Sequence, residues 1–145
     1  MRLPVLFTLS VLLMAILLAP WLAAAASPLA AGIYAAFSWV CHQQPERSFR
    51  LGEFPLAVCA RCLGVYAGAL AGALLRRPAS LRLLLMAALL GALDWAAEAA
   101  GWMGPRPFTR IIIGFVFGFL LASSLLREHS RSAARNPWRR IEVRG

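Results

Sequence analysis

Four long apolar runs limit what this chain can become. A run of about 20 apolar residues is enough to cross a bilayer as a helix, and residues 4–26, 55–75, 83–102 and 108–126 each come close to or exceed that length. With 61 % hydrophobic residues and a mean hydropathy of +0.70, the chain lies well above the roughly 45–50 % apolar content of ordinary domains. One soluble core could not hide so much apolar surface, so lipid has to act as its solvent. The expected fold class is all-α: a polytopic membrane helical bundle of four transmembrane helices, in a single domain with no repeats.

The first run ends in Ala-Ala-Ala-Ala-Ser-Pro, small residues at the spacing of a secretory cleavage site. It is longer than the roughly 7–15 apolar residues of a signal peptide and reads as an uncleaved first helix. Ser27-Pro28 then opens a second helix, with serine as N-cap and proline at the first helical position. Residues 28–41 are too few to span, and Tyr34 and Trp39 are of the type favoured at headgroup depth. An interfacial or re-entrant helix is expected there, delivering Cys41 and His42 to an outer loop over 42–54.

Arginine sets the orientation. The net charge of +9 comes from arginine without any lysine. Arg2, Arg76, Arg77, Arg82 and the six arginines of the tail 127–145 fall on one side of the expected bundle. Only Arg47, Arg50 and Arg106 fall on the other. The positive-inside bias then puts both termini in the cytoplasm, the bundle in the cytoplasmic (inner) membrane, and the loop after Cys41 outside. Arginines placed between and after apolar runs argue against nucleic acid as partner. The expected partner is the lipid bilayer, with anionic lipid drawn to the basic tail at about 1 kcal/mol per arginine near the surface. His129, among those arginines, reads as solvated surface.

Two helices carry small residues every fourth position: Gly64, Gly68 and Gly72 on the second run, Gly114, Gly118 and Ala122 on the fourth. Such ridges let helix backbones approach closely in lipid. At 100° per residue, Cys59, Cys62 and Tyr66 share one face of their helix, while Arg61 and the glycines share the opposite one. Asp94 and Glu98 lie one turn apart. Carboxylates within a span are costly, about 2.5–3.5 kcal/mol for Asp at the centre, so they should face partners. Arg61 and Arg110 are the candidates for an ion-pair lock; a proton or cation site is the alternative.

The chemistry concentrates between Cys41 and Cys62, which hold all three cysteines. Cys59-Ala-Arg-Cys62 is a C-x-x-C pair at a helix start, and Cys41-His42 precedes it by a loop's length. Cys41, His42, Cys59 and Cys62 offer up to four soft or borderline ligands, suited to zinc, copper(I) or iron. Arg61, Tyr66, Asp94, Glu98 and Arg110 would surround them. The same C-x-x-C suits a thiol–disulfide oxidoreductase using quinone, where a helix N-terminus and a neighbouring arginine favour the thiolate. A structural disulfide is the third reading, since the compartment permits one. No nucleophile–base–acid triad and no phosphate-cradling glycine loop is present, so whether the chain is an enzyme stays open.

The strings Cys41-His42-Gln43, Pro45, Arg47-Ser48-Phe49 and then Cys59, Arg61-Cys62, Gly64, Tyr66, Gly68 resemble the hallmark of a family of small bacterial and archaeal membrane proteins of unknown function. Asp94 and Arg110 with Gly114 resemble its helix-borne Asp and Arg-Gly elements, with Glu98 standing where the family commonly has glutamine. The resemblance implies a membrane location and a site built from these positions, without an activity.

Overall fold

The computed structural model describes residues 2–75, 80–104 and 106–135. Arg76 and Arg77 of the middle basic turn, and the tail beyond Arg135, lie outside the described residues. Five α-helices are present among those described: α1 (Arg2–Ala24), α2 (Pro28–Ser38), α3 (Ala60–Leu75), α4 (Leu81–Ala99) and α5 (Pro107–Arg135). Between α2 and α3 lie a short 3-10 turn, Pro45–Arg47, and two short strands, β1 (Arg50–Leu51) and β2 (Phe54–Pro55).

The chain is therefore mostly helical, as expected. Two helices, over Leu3–Ala24 and Pro107–Arg127, are long and apolar enough to cross a membrane. Helix α3 has 16 residues, and α4 carries Arg82, Asp94 and Glu98 within its 19. Those two do not qualify by length and composition alone.

The helix boundaries depart from the sequence reading most clearly in α2, α3, α4 and α5. Helix α3 starts at Ala60 instead of residue 55, because residues 50–55 pair as an antiparallel hairpin, Arg50 with Pro55 and Leu51 with Phe54. Gly52 turns it with φ +63°, a conformation open to glycine at little cost. Helix α2 stops at Ser38, three residues short of Cys41. Helix α4 begins at Leu81, where Ser80 caps it by accepting from the Leu83 N–H at 3.3 Å. It ends at Ala99 in a left-handed Gly101, with Gly101 N–H bonded to Glu98 O and Trp102 N–H to Ala97 O. Helix α5 runs on to Arg135, nine residues past the expected end at 126. The stretch after Gly118 holds no glycine or proline until Pro137, and so nothing interrupts it.

Helices α3 and α5 form the centre. A Cβ built on Gly64 would collide with the backbone of Ile111, one on Gly68 with Phe115, and one on Gly72 with Phe119. From the other side, Gly114 meets Arg61 and Gly118 meets Val65. The contacts climb in the same direction on both helices, so α3 and α5 run parallel with their backbones touching. Helix α4 runs opposite to them: Gly91 lies beside Ile113, and Glu98 reaches Arg110. Helix α1 is also opposed. Its Ile16 and Ala19 pack with Phe37, Cys41, Leu56, Ala57 and Val58 at the start of α3. Its Pro4 to Leu9 stretch shares a cavity with Ala69 and Leu121 to Leu126. Both described chain ends thus lie at one end of the bundle, and the hairpin, Cys41 and the start of α3 at the other.

This packing predicts unequal tolerance among the glycines. Gly68→Ala should lower stability in detergent by about 1–3 kcal/mol, since an added methyl must push backbone aside. Gly91→Ala meets only Ile113 Cγ2, at 3.5 Å, and should stay within about 0.5 kcal/mol of the parent. Thermal unfolding of both purified variants checks the contrast; equal loss at both positions would contradict the α3–α5 contact.

Candidate functional site

Three sulfurs from two separate stretches meet at the start of α3. The Cys41 N–H still bonds back to Phe37 O at 2.9 Å, so Cys41 is fixed to the end of α2. The chain then turns sharply at Gln43, which holds a left-handed φ of +49°. Its side-chain amide donates to Tyr34 O at 2.7 Å and Ala57 O at 2.8 Å. Those two bonds tie α2 to the 56–59 segment leading into α3. The Tyr34 hydroxyl adds a third tie by donating to Pro55 O, and burial pushes its phenol up from the usual value.

Held this way, Cys41 Sγ accepts from the Cys59 N–H at 3.2 Å, meeting one of the unsatisfied donors at the helix start. The Sγ atoms of Cys41, Cys59 and Cys62 all lie within 4.8 Å of one another. Cys41 is buried, the other two half-buried. A thiolate is the form that binds metal and attacks disulfides.

His42 does not join this group. It lines the same cavity, but its side chain is exposed and its ring nitrogens lie outside the set of converging ligand atoms. The backbone turn that brings Cys41 inward sends the next residue outward. Tyr66 shares the face of Cys59 and Cys62, as helical spacing requires, and packs against the same core with its ring edge-on to Phe37 at 6.1 Å.

A chain of charges lies beside the thiols. Arg61 Nη2 donates to Asp94 Oδ2 at 2.6 Å, and Arg110 Nε lies 3.8 Å from the same oxygen. Arg110 also pairs with Glu98, whose other oxygen is 2.6 Å from Arg47 Nε. The order is Arg61, Asp94, Arg110, Glu98, Arg47: positive and negative groups alternate. Asp94 and Glu98 side chains are only 12 % and 11 % exposed and Arg110 5 %, so each acid has its charge met by a close partner. The expected lock through Asp94, Glu98, Arg61 and Arg110 is therefore present. Arg47, counted from the sequence only as an arginine of the outer side, is its fifth member. Gln43 and Arg47 stand in the motif strings, but only the fold reveals that one is a clamp and the other an ion-pair partner.

Thiols and guanidiniums line one cavity of about 370 Å³, with Cys41, Cys59, Cys62, Arg47, Arg61 and Arg110 on its walls. Around an ion with M–S bonds of about 2.3 Å, three sulfurs stand about 3.8–4.0 Å apart. That spacing is compatible with the observed limit of 4.8 Å. No ligand atom from His42 is needed, and a fourth position on such an ion would open onto the cavity.

These features define a helical membrane protein with a polar, thiol-bearing site at one end of its bundle. Comparison with known proteins agrees: residues 41–124 match the DUF2085 family, described as predicted membrane proteins, and the chain belongs to that family. The uncharacterised protein MJ1492 of Methanocaldococcus jannaschii is 32 % identical over 103 residues, covering 65 % of this chain and 66 % of its own length, just under two thirds. An uncharacterised protein of Methanothermobacter thermautotrophicus is 46 % identical over 33 residues, covering 23 % of this chain and 30 % of its own. No solved structure matches.

Removing one member of the ion chain should be worse than removing a pair. Asp94→Ala strands Arg61 and weakens the hold on Arg110, and its expected cost is about 3–5 kcal/mol, the usual range for a broken buried pair. Adding Arg61→Met to that variant should recover part of the loss. Equilibrium unfolding of the single and double variants checks this; additive losses would contradict the coupling.

Proposed function

We propose that this protein binds a transition-metal ion through the thiolates of Cys41, Cys59 and Cys62, at the outer end of a bundle in which α1, α3, α4 and α5 all cross the cytoplasmic membrane. The observation that carries the metal reading is the meeting of three sulfurs from two distant stretches, with no disulfide needed to hold them. Zinc and copper(I) both take such soft ligands, and iron is the third candidate. Cys41, Cys59 and Cys62 would each lose a proton to hold the ion, since the thiolate is the ligand form.

The membrane reading is supported by how the helices alternate. Helices α3 and α5 run one way, α1 and α4 the other, and Arg82 near the start of α4 and Arg127 late in α5 lie toward the end opposite the thiols. The positive-inside bias then sets both termini in the cytoplasm and the thiols outside. Short α3 is extended outward by the hairpin and the 56–59 segment. The charges of α4 are met within the bundle instead of by lipid.

The cavity beside the thiols gives the ion an outlet, as in sites that deliver, sense or activate through an open coordination position. A thiol–disulfide exchange site is the second reading. It is favoured by two further thiols, Cys41 and Cys62, lying close to Cys59.

Elemental analysis of protein purified in detergent tests the proposal. Close to one equivalent of metal is expected, lost in Cys41→Ser, Cys59→Ser or Cys62→Ser and retained in His42→Ala. Metal-free protein whose Cys59 and Cys62 cycle with a redox partner would overturn the metal reading in favour of exchange. Three serine variants with unchanged metal content would overturn it outright.

A further inference from the structure

A second cavity, of about 320 Å³, opens between α3, α4 and α5 directly below the thiol site. Its walls are apolar: Val65 from α3, Ala88, Gly91 and Ala92 from α4, and Ile113 and Phe117 from α5. It is continuous in its lining with the polar cavity, because Arg61 and Trp95 border both. Small residues on a membrane helix ordinarily bring a neighbour's backbone close. Here α4 packs on α5 while its small face leaves a gap toward α3.

The head of this gap is rich in hydrogen-bond donors. Arg47, Arg61 and Arg110 each carry five N–H groups, and all three line the polar cavity, whose described lining holds no carboxylate. Arg61 borders both cavities, so an oxygen-rich anionic head in the polar cavity would lie beside its guanidinium.

The geometry points to a single-chain amphiphile drawn sideways from the bilayer, its anionic head among Arg47, Arg61 and Arg110 beside the thiols and its tail along Ala88, Gly91 and Ala92. A fatty-acid carboxylate has this chemistry. The inference rests on the reading that α3 and α4 cross the membrane, and it does not require a metal. Such a ligand would place its head at the open side of the thiol cluster, within reach of whatever the cluster holds.

A diazirine-bearing palmitate tests it, using the full chain in phosphatidylcholine nanodiscs, with the labelled peptides located by mass spectrometry. Label is expected on the cleft residues of α3, α4 and α5. Palmitate should compete, and butyrate and hexadecanol, lacking tail and charge respectively, should be about tenfold poorer or worse, equivalent to 1.4 kcal/mol. Gly91→Leu fills the cleft without striking backbone, its Cβ meeting only Ile113 Cγ2 at 3.5 Å. It should cut labelling by about tenfold while metal content stays at the parent value, and Ala88→Phe should do the same. Label spread over the outward Leu85, Leu89 and Leu93, equal competition by hexadecanol, or full labelling of both filled variants would each overturn the inference. Specific cleft labelling in metal-free protein would sustain it and count against the metal reading alone.

Discussion

The contact between α3 and α5 is the constraint on which the rest of the molecule depends. Five glycines let the two backbones touch, and no other side chain fits where Gly64, Gly68, Gly72, Gly114 and Gly118 stand. Close approach fixes the register, and register decides which residues meet at the end of the bundle. Arg61 is one turn before Gly64 and Arg110 one turn before Gly114, so seating the glycines sets both guanidiniums at the same level. Asp94 can then reach both. In lipid, where burial of apolar surface drives little between helices, such packing and the polar links it permits are the main sources of association.

The ion chain performs for α4 what glycine performs for α3 and α5. Helix α4 exposes much of its apolar surface, including Leu83, Leu85, Leu89, Leu90 and Leu93, and only its Ala87 is buried. Its two carboxylates, each between arginines of other elements, are the specific ties. They also carry the loop: Arg47 binds Glu98 from outside the helices, and Phe49 stacks edge-on against Phe108 at 5.6 Å. The cysteine-bearing loop is thereby fastened to α4 and α5 as well as to α2 through Gln43 and Tyr34. The thiol cluster sits on a frame that is tied on several sides.

Much of this was legible in the sequence because it follows from period and charge. The four-residue glycine spacing foretold the ridges, and the 100° step separated Cys59, Cys62 and Tyr66 from Arg61 and the glycines. The cost of a carboxylate in lipid foretold that Asp94 and Glu98 would have partners. What escaped were features set by single backbone turns. Gly52 folds a hairpin out of residues read as loop, delaying α3 to Ala60. Gln43 reverses the chain just after Cys41-His42, burying one and exposing the other, and adjacency in sequence says nothing about that choice. The extension of α5 to Arg135 was hidden by its charge: the arginines looked like tail, although nothing in residues 119–135 breaks a helix.

Three thiolates, and no histidine, are proposed to hold the ion. X-ray absorption at the metal edge of the purified protein tests that assignment most directly. A nearest-neighbour shell dominated by three sulfurs is expected, at about 2.3 Å if the ion is zinc, unchanged in His42→Ala. A shell made only of nitrogen and oxygen, or one that loses a ligand with His42, would contradict it.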